Sequence, residues 1–382
     1  MLRQASSAAL SLLATRPSVA CSAVLLPRSS AVLGARTITA ASPRASGLFE
    51  GLVSGSRNCL AKAITLVEST RYDDKDDASE LLSMVLRSSS IRQYKTQDNF
   101  KSTFRIGLSG APGVGKSSFI EQFGLFLIER GHKVAVLAVD PSSARTGGSI
   151  LGDKTRMEFL SRHDDAFVRP SPSSCTLGGV ARNTNEAILI CEAAGYDIIL
   201  VETVGVGQSE TMVADMVDIF TLLVAPGGGD ELQGMKRGIM ELSDLVLVNK
   251  ADGVLAVPAR MAQMEYISAL KFMQPVNALW RPEVLLMSAA EKKGIDEVWN
   301  SMKLYYKTMY DSKSLFQRRA EQNKTWMWRQ ITEELLWRLR HDPKVKASLL
   351  QLEESVKNGR ITPGSAAEQV LHQFIADQQV RP

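Results

Sequence analysis

The sequence is poor in cysteine and has no long apolar run. Its four cysteines, Cys21, Cys59, Cys175 and Cys191, lie far apart and form no C-x-x-C motif. This spacing argues against a disulfide framework and against a zinc site, and it is typical of a protein from a reducing compartment. No stretch approaches the roughly 18 consecutive apolar residues that a membrane-spanning helix needs, so we expect no membrane partner.

The chain also lacks a strong net charge, and its N-terminus lacks acidic residues altogether. A formal net charge of +4 over 382 residues does not indicate a nucleic-acid-binding protein. The first 49 residues contain no Asp or Glu but several Arg and many Ser. This composition predicts a transit peptide over residues 1–45 and a location in the mitochondrial matrix, the alternative being a disordered tail. A secretory signal is less favoured because Arg16 and Arg28 interrupt its apolar block.

Residues 46–100 predict an N-terminal helical extension. Apolar residues recur at helical intervals over 48–70 and again over 78–92. The acidic cluster at 73–77 between them predicts a turn, which would make the extension a helical hairpin. We expect the hairpin to pack against the flank of the following domain rather than to take part in catalysis.

Residues 101–311 alternate short apolar runs with helical patterns. This alternation predicts an α/β domain with a mostly parallel sheet that helices cover on both faces. In such sheets ligands bind beyond the carboxyl ends of the strands. The apolar runs that predict strands lie at 104–108, 134–139, 198–201, 219–224, 245–248 and 284–287.

The sequence GAPGVGKS at 110–117 matches the phosphate-binding pattern G-x-x-x-x-G-K-[ST]. An apolar run precedes it and a helical pattern follows it, as in a P-loop. Its glycines let backbone N–H groups converge on phosphate oxygens at a helix N-terminus. We expect Lys116 to contact the β- and γ-phosphates and Ser117 to ligate Mg²⁺. The predicted phosphate-contacting residues are Gly110, Ala111, Pro112, Gly113, Val114, Gly115, Lys116, Ser117 and Ser118.

Three acidic residues are candidates for holding Mg²⁺ or orienting the attacking water. Asp140 and Glu202 each follow a predicted strand, and Asp153 lies in a Gly-rich loop. Most GTPases have Asp-x-x-Gly where this chain has Glu202 to Gly205, so we expect Gly205 to sense the γ-phosphate. Which acid ligates the metal directly stays open, since Asp140 could cap a turn instead, and Thr203 and Gln208 are weaker candidates for aligning the water. The predicted catalytic residues are Lys116, Asp153, Glu202 and Gly205.

The sequence NKAD at 249–252 follows a predicted strand and indicates which base is bound. A carboxylate at Asp252 can accept hydrogen bonds from the N1–H and the exocyclic amine of guanine, whereas adenine offers neither. We expect Asn249 to tether this loop and the stem of Lys250 to cover the base. These features predict GTP and GDP as ligands rather than ATP. Guanine O6 would meet the backbone N–H groups of Ser288, Ala289 and Ala290.

The Gly-rich segment at 226–237 is one that a minimal GTPase does not need. Three successive glycines are followed by acidic, amide and basic side chains at the entry to a helical pattern. This arrangement predicts a further switch that reports the nucleotide state to a partner through Asp230, Gln233 and Lys236. The alternative is a flexible connection that Asp230 caps.

Strand signals stop near Asp311, and residues 312–382 predict a helical arm. Trp328, Ile331 and Leu335 share one apolar helical face, and two shorter helices follow over 345–357 and 363–376. Three of the five Trp residues lie on the first helix of the arm. We therefore expect exposed aromatic side chains and a homodimer formed by the arm, the alternative being that the arm packs back onto its own domain.

With these motifs the chain is similar to the GTPase chaperones of adenosylcobalamin-dependent methylmalonyl-CoA mutase, the MeaB/MMAA or ArgK-like group. The resemblance implies a SIMIBI-class G domain, a mitochondrial homodimer built by the C-terminal arm, and a third switch that faces the mutase. It also implies that Asp140, Asp153 and Glu202 gather around Mg²⁺ and the water. Cys175 stands where the family pattern has Gly, which bears on the local backbone only. Besides the P-loop, the segments that carry the resemblance are 138–143, 152–157, 169–179, 202–208, 227–236, 249–252 and 359–363.

The function that the resemblance implies is a GTP-hydrolysing metallochaperone that gates the loading, protection and reactivation of the mutase's adenosylcobalamin. No arginine finger is evident, so we expect a low intrinsic rate. One alternative is a nickel-insertion GTPase, against which the four scattered His residues argue. Another is an ATP-dependent small-molecule kinase, against which Asp252 argues. A non-enzymatic scaffold is a further alternative, and its function would survive Lys116→Ala.

Overall fold

The computed structural model of the chain describes residues 42–69, 71–89, 100, 102–139, 157–170, 177–203, 209–227, 237–274 and 277–380. Its centre is a seven-stranded, wholly parallel sheet with the order β3-β2-β4-β1-β5-β6-β7. The predicted α/β class is therefore confirmed. The strands are β1 (Phe104–Gly110), β2 (Val134–Val139), β3 (Ala166–Arg169), β4 (Ile198–Thr203), β5 (Ile219–Val224), β6 (Leu245–Val248) and β7 (Glu283–Leu286).

Helices cover both faces of this sheet. Because both faces are buried, the inner strands read as nearly continuous apolar runs. The helices are α1 (Pro43–Val53), α2 (Arg57–Val67), α3 (Tyr72–Ser89), α4 (Lys116–Glu129), α5 (Glu158–Arg162), α6 (Leu177–Ala193), α7 (Ser209–Ala214), α8 (Arg237–Leu242), α9 (Ala256–Leu270), α10 (Ile295–Asp311), α11 (Ser314–His341), α12 (Pro343–Lys357) and α13 (Pro363–Val380). A 3₁₀ turn, Gly253–Leu255, precedes α9. None of the helices described here is both long and apolar enough to span a membrane.

The side chains of the sheet divide into two apolar cores. On one face, strand side chains pack with α1–α3 and with α6–α9. On the other face, they pack with α4, α5 and α10 around a cluster of aromatic rings that includes Phe104, Phe123 and Trp299. The sheet is thus the middle layer of a three-layer domain, with helices packed on each of its two faces.

The described part of the N-terminal extension contains three helices, not the predicted hairpin of two. The first predicted helix is interrupted at Gly55, which has a φ of 80° and separates α1 from α2. The acidic cluster at 73–77 is not a turn but lies in α3, where Asp73 and Asp74 occupy the first turn and favour the positive end of the helix dipole. Helix α1 begins at Pro43 and Ala45 is fully buried, so the first helix of the extension starts slightly before residue 46.

The C-terminal arm begins with α11, whose first half is anchored to the sheet. Leu315 and Trp326 are buried against the domain, whereas Trp328 and Trp337 are 60% and 53% exposed. The expectation of exposed aromatic side chains therefore fails for Trp326, whose indole donates to Asp215 O at 3.0 Å. The arm packs back onto its own domain along its first half and presents an apolar face along its second.

Two consecutive arginines fix α11 to the N-terminal ends of the central strands. Arg319 donates to both carboxylate oxygens of Asp218, at 2.7 and 2.6 Å, and to Thr103 O at 2.6 Å. Arg318 donates to Asp244 at 3.1 Å. Burial alone would raise the pKa of Asp218, but the charge and hydrogen bonds of Arg319, helped by Arg105, hold that pKa below its usual range.

Candidate nucleotide-binding site

The phosphate loop connects β1 to α4, as the sequence predicts. Helix α4 begins immediately after Gly115, whose φ is 94°. A Cβ at Gly115 would lie 2.6 Å from Asn249 Nδ2, and one at Gly110 would lie 2.3 Å from Leu223 O. Both positions therefore require glycine, one for its backbone conformation and both for the close approach of a neighbour. The loop ends at the N-terminus of α4, where backbone N–H groups and the helix dipole favour an anion.

Lys116 is 9% exposed, and its side chain folds over the loop. Its Nζ donates to Gly110 O at 2.6 Å and to Ala111 O at 3.2 Å. The ammonium group is thus held at the mouth of the loop, where a positive charge stabilises a bound polyphosphate.

Ser117 and Glu202 approach each other at the start of α4. The Ser117 Oγ lies 3.5 Å from Glu202 Oε1, and Glu202 is 4% exposed at the end of β4. A hydroxyl and a carboxylate at this distance are hard oxygen donors of the kind that Mg²⁺ prefers, so the two residues fit a magnesium site. Within the described ranges, no group of three His, Cys, Asp or Glu side chains forms a metal site. The other predicted residues of this centre, Asp140, Asp153 and Gly205, lie outside those ranges.

The predicted base-reading loop lies against the phosphate loop. Asn249 is 2% exposed, donates to Val114 O at 2.9 Å, and accepts from the Ala289 N–H at 3.1 Å. Lys250, with a φ of 59°, donates to Gly113 O at 2.7 Å. The expected tethering role of Asn249 matches this geometry. Lys250 provides a second link between the two loops.

A hydroxyl that the sequence reasoning overlooked fixes Asp252. The Ser288 Oγ donates to Asp252 Oδ2 and accepts from the Glu291 N–H at 3.1 Å. The backbone N–H groups of Ser288 and Ala289 donate to Lys293 O and to Asn249 Oδ1, and the contact of residues 288–290 with guanine O6 stays a prediction. Ser288 therefore acts through its side chain. The sequence indicates this role only through the residue type, because serine has a hydroxyl group.

Thr203 does not fit the role of aligning a water. It is fully buried, and its hydroxyl donates to Ser109 Oγ at 2.9 Å beneath the phosphate loop. Successive strand residues point to opposite faces, so Thr203 lies on the other side of the sheet from the Glu202 carboxylate. The predicted partner-contacting residues Asp230, Gln233 and Lys236 lie outside the described residues, directly before α8.

Comparisons with known proteins point to one family. A family model described as "Methylmalonyl Co-A mutase-associated GTPase MeaB" matches residues 60–344. The chain is 53% identical to the mitochondrial methylmalonic aciduria type A homolog of Mus musculus over 86% of this chain and 79% of that protein. It is 50% identical to the homolog of Caenorhabditis elegans, over 88% of this chain and 85% of that protein.

A solved structure has the same fold. The crystal structure of a LAO/AO transport system kinase superposes with a TM-score of 0.67 at 37% identity, covering 87% of this chain and 97% of that one. The family model covers the phosphate loop, Glu202 and the base-reading loop described above. The chain therefore belongs to the MeaB family of methylmalonyl-CoA mutase-associated GTPases.

Proposed function

We propose that this GTPase couples hydrolysis of GTP to the loading, protection and reactivation of adenosylcobalamin in methylmalonyl-CoA mutase. The proposal rests on the hydrogen bonds by which Asn249 and Lys250 connect the predicted guanine-reading loop to the phosphate loop. The chain that carries these loops belongs to a mutase-associated family. A nucleotide that fills this site contacts both loops at once. A change from GTP to GDP can therefore change both loops, and through them the contact with a partner.

Each part of the nucleotide has an expected set of residues. The N–H groups of 110–118 and Lys116 bind the phosphates, and the Asp252 carboxylate accepts hydrogen bonds from guanine. Ser117 and Glu202, with Asp140 and Asp153, would hold Mg²⁺, which would supply positive charge beside the phosphate oxygens. A carboxylate at this position can also orient the attacking water, and Gly205 senses the γ-phosphate through its N–H.

The partner and the assembly belong to the same proposal. Asp230, Gln233 and Lys236 contact the mutase in a nucleotide-dependent manner, directly before α8. The exposed apolar face of α11, which includes Trp328 and Leu335, supports a homodimer through the arm. The acid-free leader over 1–45 and the mitochondrial names of the relatives support import into the mitochondrial matrix.

The test measures GTP hydrolysis by the purified chain with and without the mutase. We expect a low intrinsic rate that the mutase raises, and a complex whose stability differs between GDP and a non-hydrolysable GTP analogue. Lys116→Ala should abolish hydrolysis, and Glu202→Gln should lower kcat while the protein still binds GDP. An unchanged rate together with no complex in either nucleotide state would refute the coupling to the mutase.

A further inference from the structure

A buried pair of hydroxyl groups lies beneath the phosphate loop. Ser109 is the residue before Gly110 in β1, and Thr203 is the last residue of β4. Both residues are fully buried, and the Thr203 hydroxyl donates to Ser109 Oγ at 2.9 Å. This bond crosses from one central strand to the next, directly under the loop that binds the phosphates.

The pair lies at the last residue of β4. The register of β4 against β1 ends with Leu108 opposite Glu202, so the Ser109–Thr203 bond lies one step beyond the last backbone pair. Thr203 follows Glu202, and strand alternation places their side chains on opposite faces. Glu202 points toward Ser117, with 3.5 Å between the two oxygens. The hydroxyl pair therefore holds the backbone of β4 on the face of the sheet opposite the Glu202 carboxylate, next to the residue that carries it.

We propose that Thr203, through Ser109, is a positioning residue for the Glu202 carboxylate. The bond fixes the end of β4 against the strand that carries the phosphate loop, and so sets the distance between Glu202 and Ser117. This inference rests on the proposed role of Glu202 at the metal and the water. The hydroxyl pair would affect catalysis by setting the position of the Glu202 carboxylate, without touching the nucleotide itself.

The central variant is Thr203→Val, which keeps the shape of the side chain and removes the hydrogen bond. Residues that orient a metal-binding group typically change metal affinity or activity by about 10- to 100-fold when they are replaced. We expect kcat to fall by at least about tenfold, with little change in the KM for GTP, because the phosphate and base contacts remain. The Mg²⁺ concentration that half-saturates binding of a fluorescent GDP analogue should rise in parallel.

Four further variants separate positioning from folding. Thr203→Ser retains the hydroxyl and should restore kcat and Mg²⁺ affinity. Ser109→Ala should reproduce Thr203→Val, and the double variant should be no worse than either single one, because both remove the same bond. Thr221→Val is the matched control: Thr221 is fully buried opposite Leu108, and its hydroxyl has no hydrogen-bond partner among the described residues.

The control should leave kcat and Mg²⁺ affinity unchanged. The inference is overturned if Thr203→Val and Ser109→Ala lower the melting temperature but leave kcat and the Mg²⁺ titration at wild-type values. It is also overturned if Thr203→Ser fails to restore them. Should Thr203→Val yield no folded protein, Ser109→Ala decides by the same readouts. A Glu202→Gln variant with wild-type kcat and Mg²⁺ affinity would instead refute the proposed role of Glu202 itself.

Discussion

The buried pair of Arg319 and Asp218 makes a prediction about stability that can be worked from its contacts. Arg319→Met removes two hydrogen bonds to Asp218 and one to Thr103 O. The side chain of Asp218 is fully buried, so the variant leaves a carboxylate in the interior with its main partner gone. Breaking such a pair by removing one partner costs about 3–5 kcal/mol. We expect the free energy of unfolding to fall by this amount in urea titrations followed by tryptophan fluorescence.

A second substitution and a control sharpen this prediction. Arg319→Met with Asp218→Asn should recover part of the loss, because the buried group is then neutral and can still accept from the Arg105 N–H. Arg338→Met on the same helix removes an exposed pair with Glu334 and should cost no more than about 0.5 kcal/mol.

The pH dependence follows from the lowered pKa of Asp218. A carboxylate whose pKa is lower in the folded state contributes stability that is complete above its unfolded value of about 3.9 and is lost as the pH falls through the folded value. The difference between wild type and Arg319→Met should therefore shrink in acid. A loss below about 1 kcal/mol at neutral pH, or an equal loss in the Arg338→Met control, would refute the reasoning.

Three further predictions concern the nucleotide site and the arm. Asp252→Asn should weaken GTP binding by about 10- to 100-fold, measured by calorimetry, because charge-assisted hydrogen bonds contribute about 1.5–3 kcal/mol each; an unchanged affinity would remove Asp252 from base recognition. Gly115→Ala should abolish tight nucleotide binding in the same assay, because residue 115 has a φ of 94° and the added Cβ would lie 2.6 Å from Asn249 Nδ2. The control is Gly131→Ala, which should leave binding unchanged because Gly131 also has a positive φ but has open space around it. Trp328→Lys should shift the chain from dimer to monomer in analytical ultracentrifugation while hydrolysis stays intact; a retained dimer would place the interface elsewhere.

Local signals predicted the central site and most of the sheet. The strand–loop–helix around Gly110 follows from short-range chemistry, because glycine, lysine and serine at fixed spacing have few other uses. Strand β3, Ala166–Arg169, went unpredicted because it has four residues and is only partly buried along its length. The acidic start of α3 was misassigned because the same residues that favour turns also stabilise the first turn of a helix.

Contacts between distant residues could not be predicted from the sequence. Arg319 and Asp218 are separated by 101 positions, and nothing in the local pattern of either indicates the other. The bond between Thr203 and Ser109 spans 94 positions and depends on which strands become neighbours. Composition fixes which residues can be buried, but only the strand order brings these particular polar groups together.

Strand β1 leads into the phosphate loop at one end and adjoins a contact with the arm at the other. Gly110 ends the strand and begins the phosphate loop, whereas Thr103, just before its first residue, accepts a hydrogen bond from Arg319 of α11. Seven residues at about 3.3 Å each make the strand roughly 20 Å long. Because every residue of β1 is buried and packed, we expect the distance between its two ends to stay fixed. One partner that senses both the nucleotide and the arm must therefore reach across about 20 Å of surface.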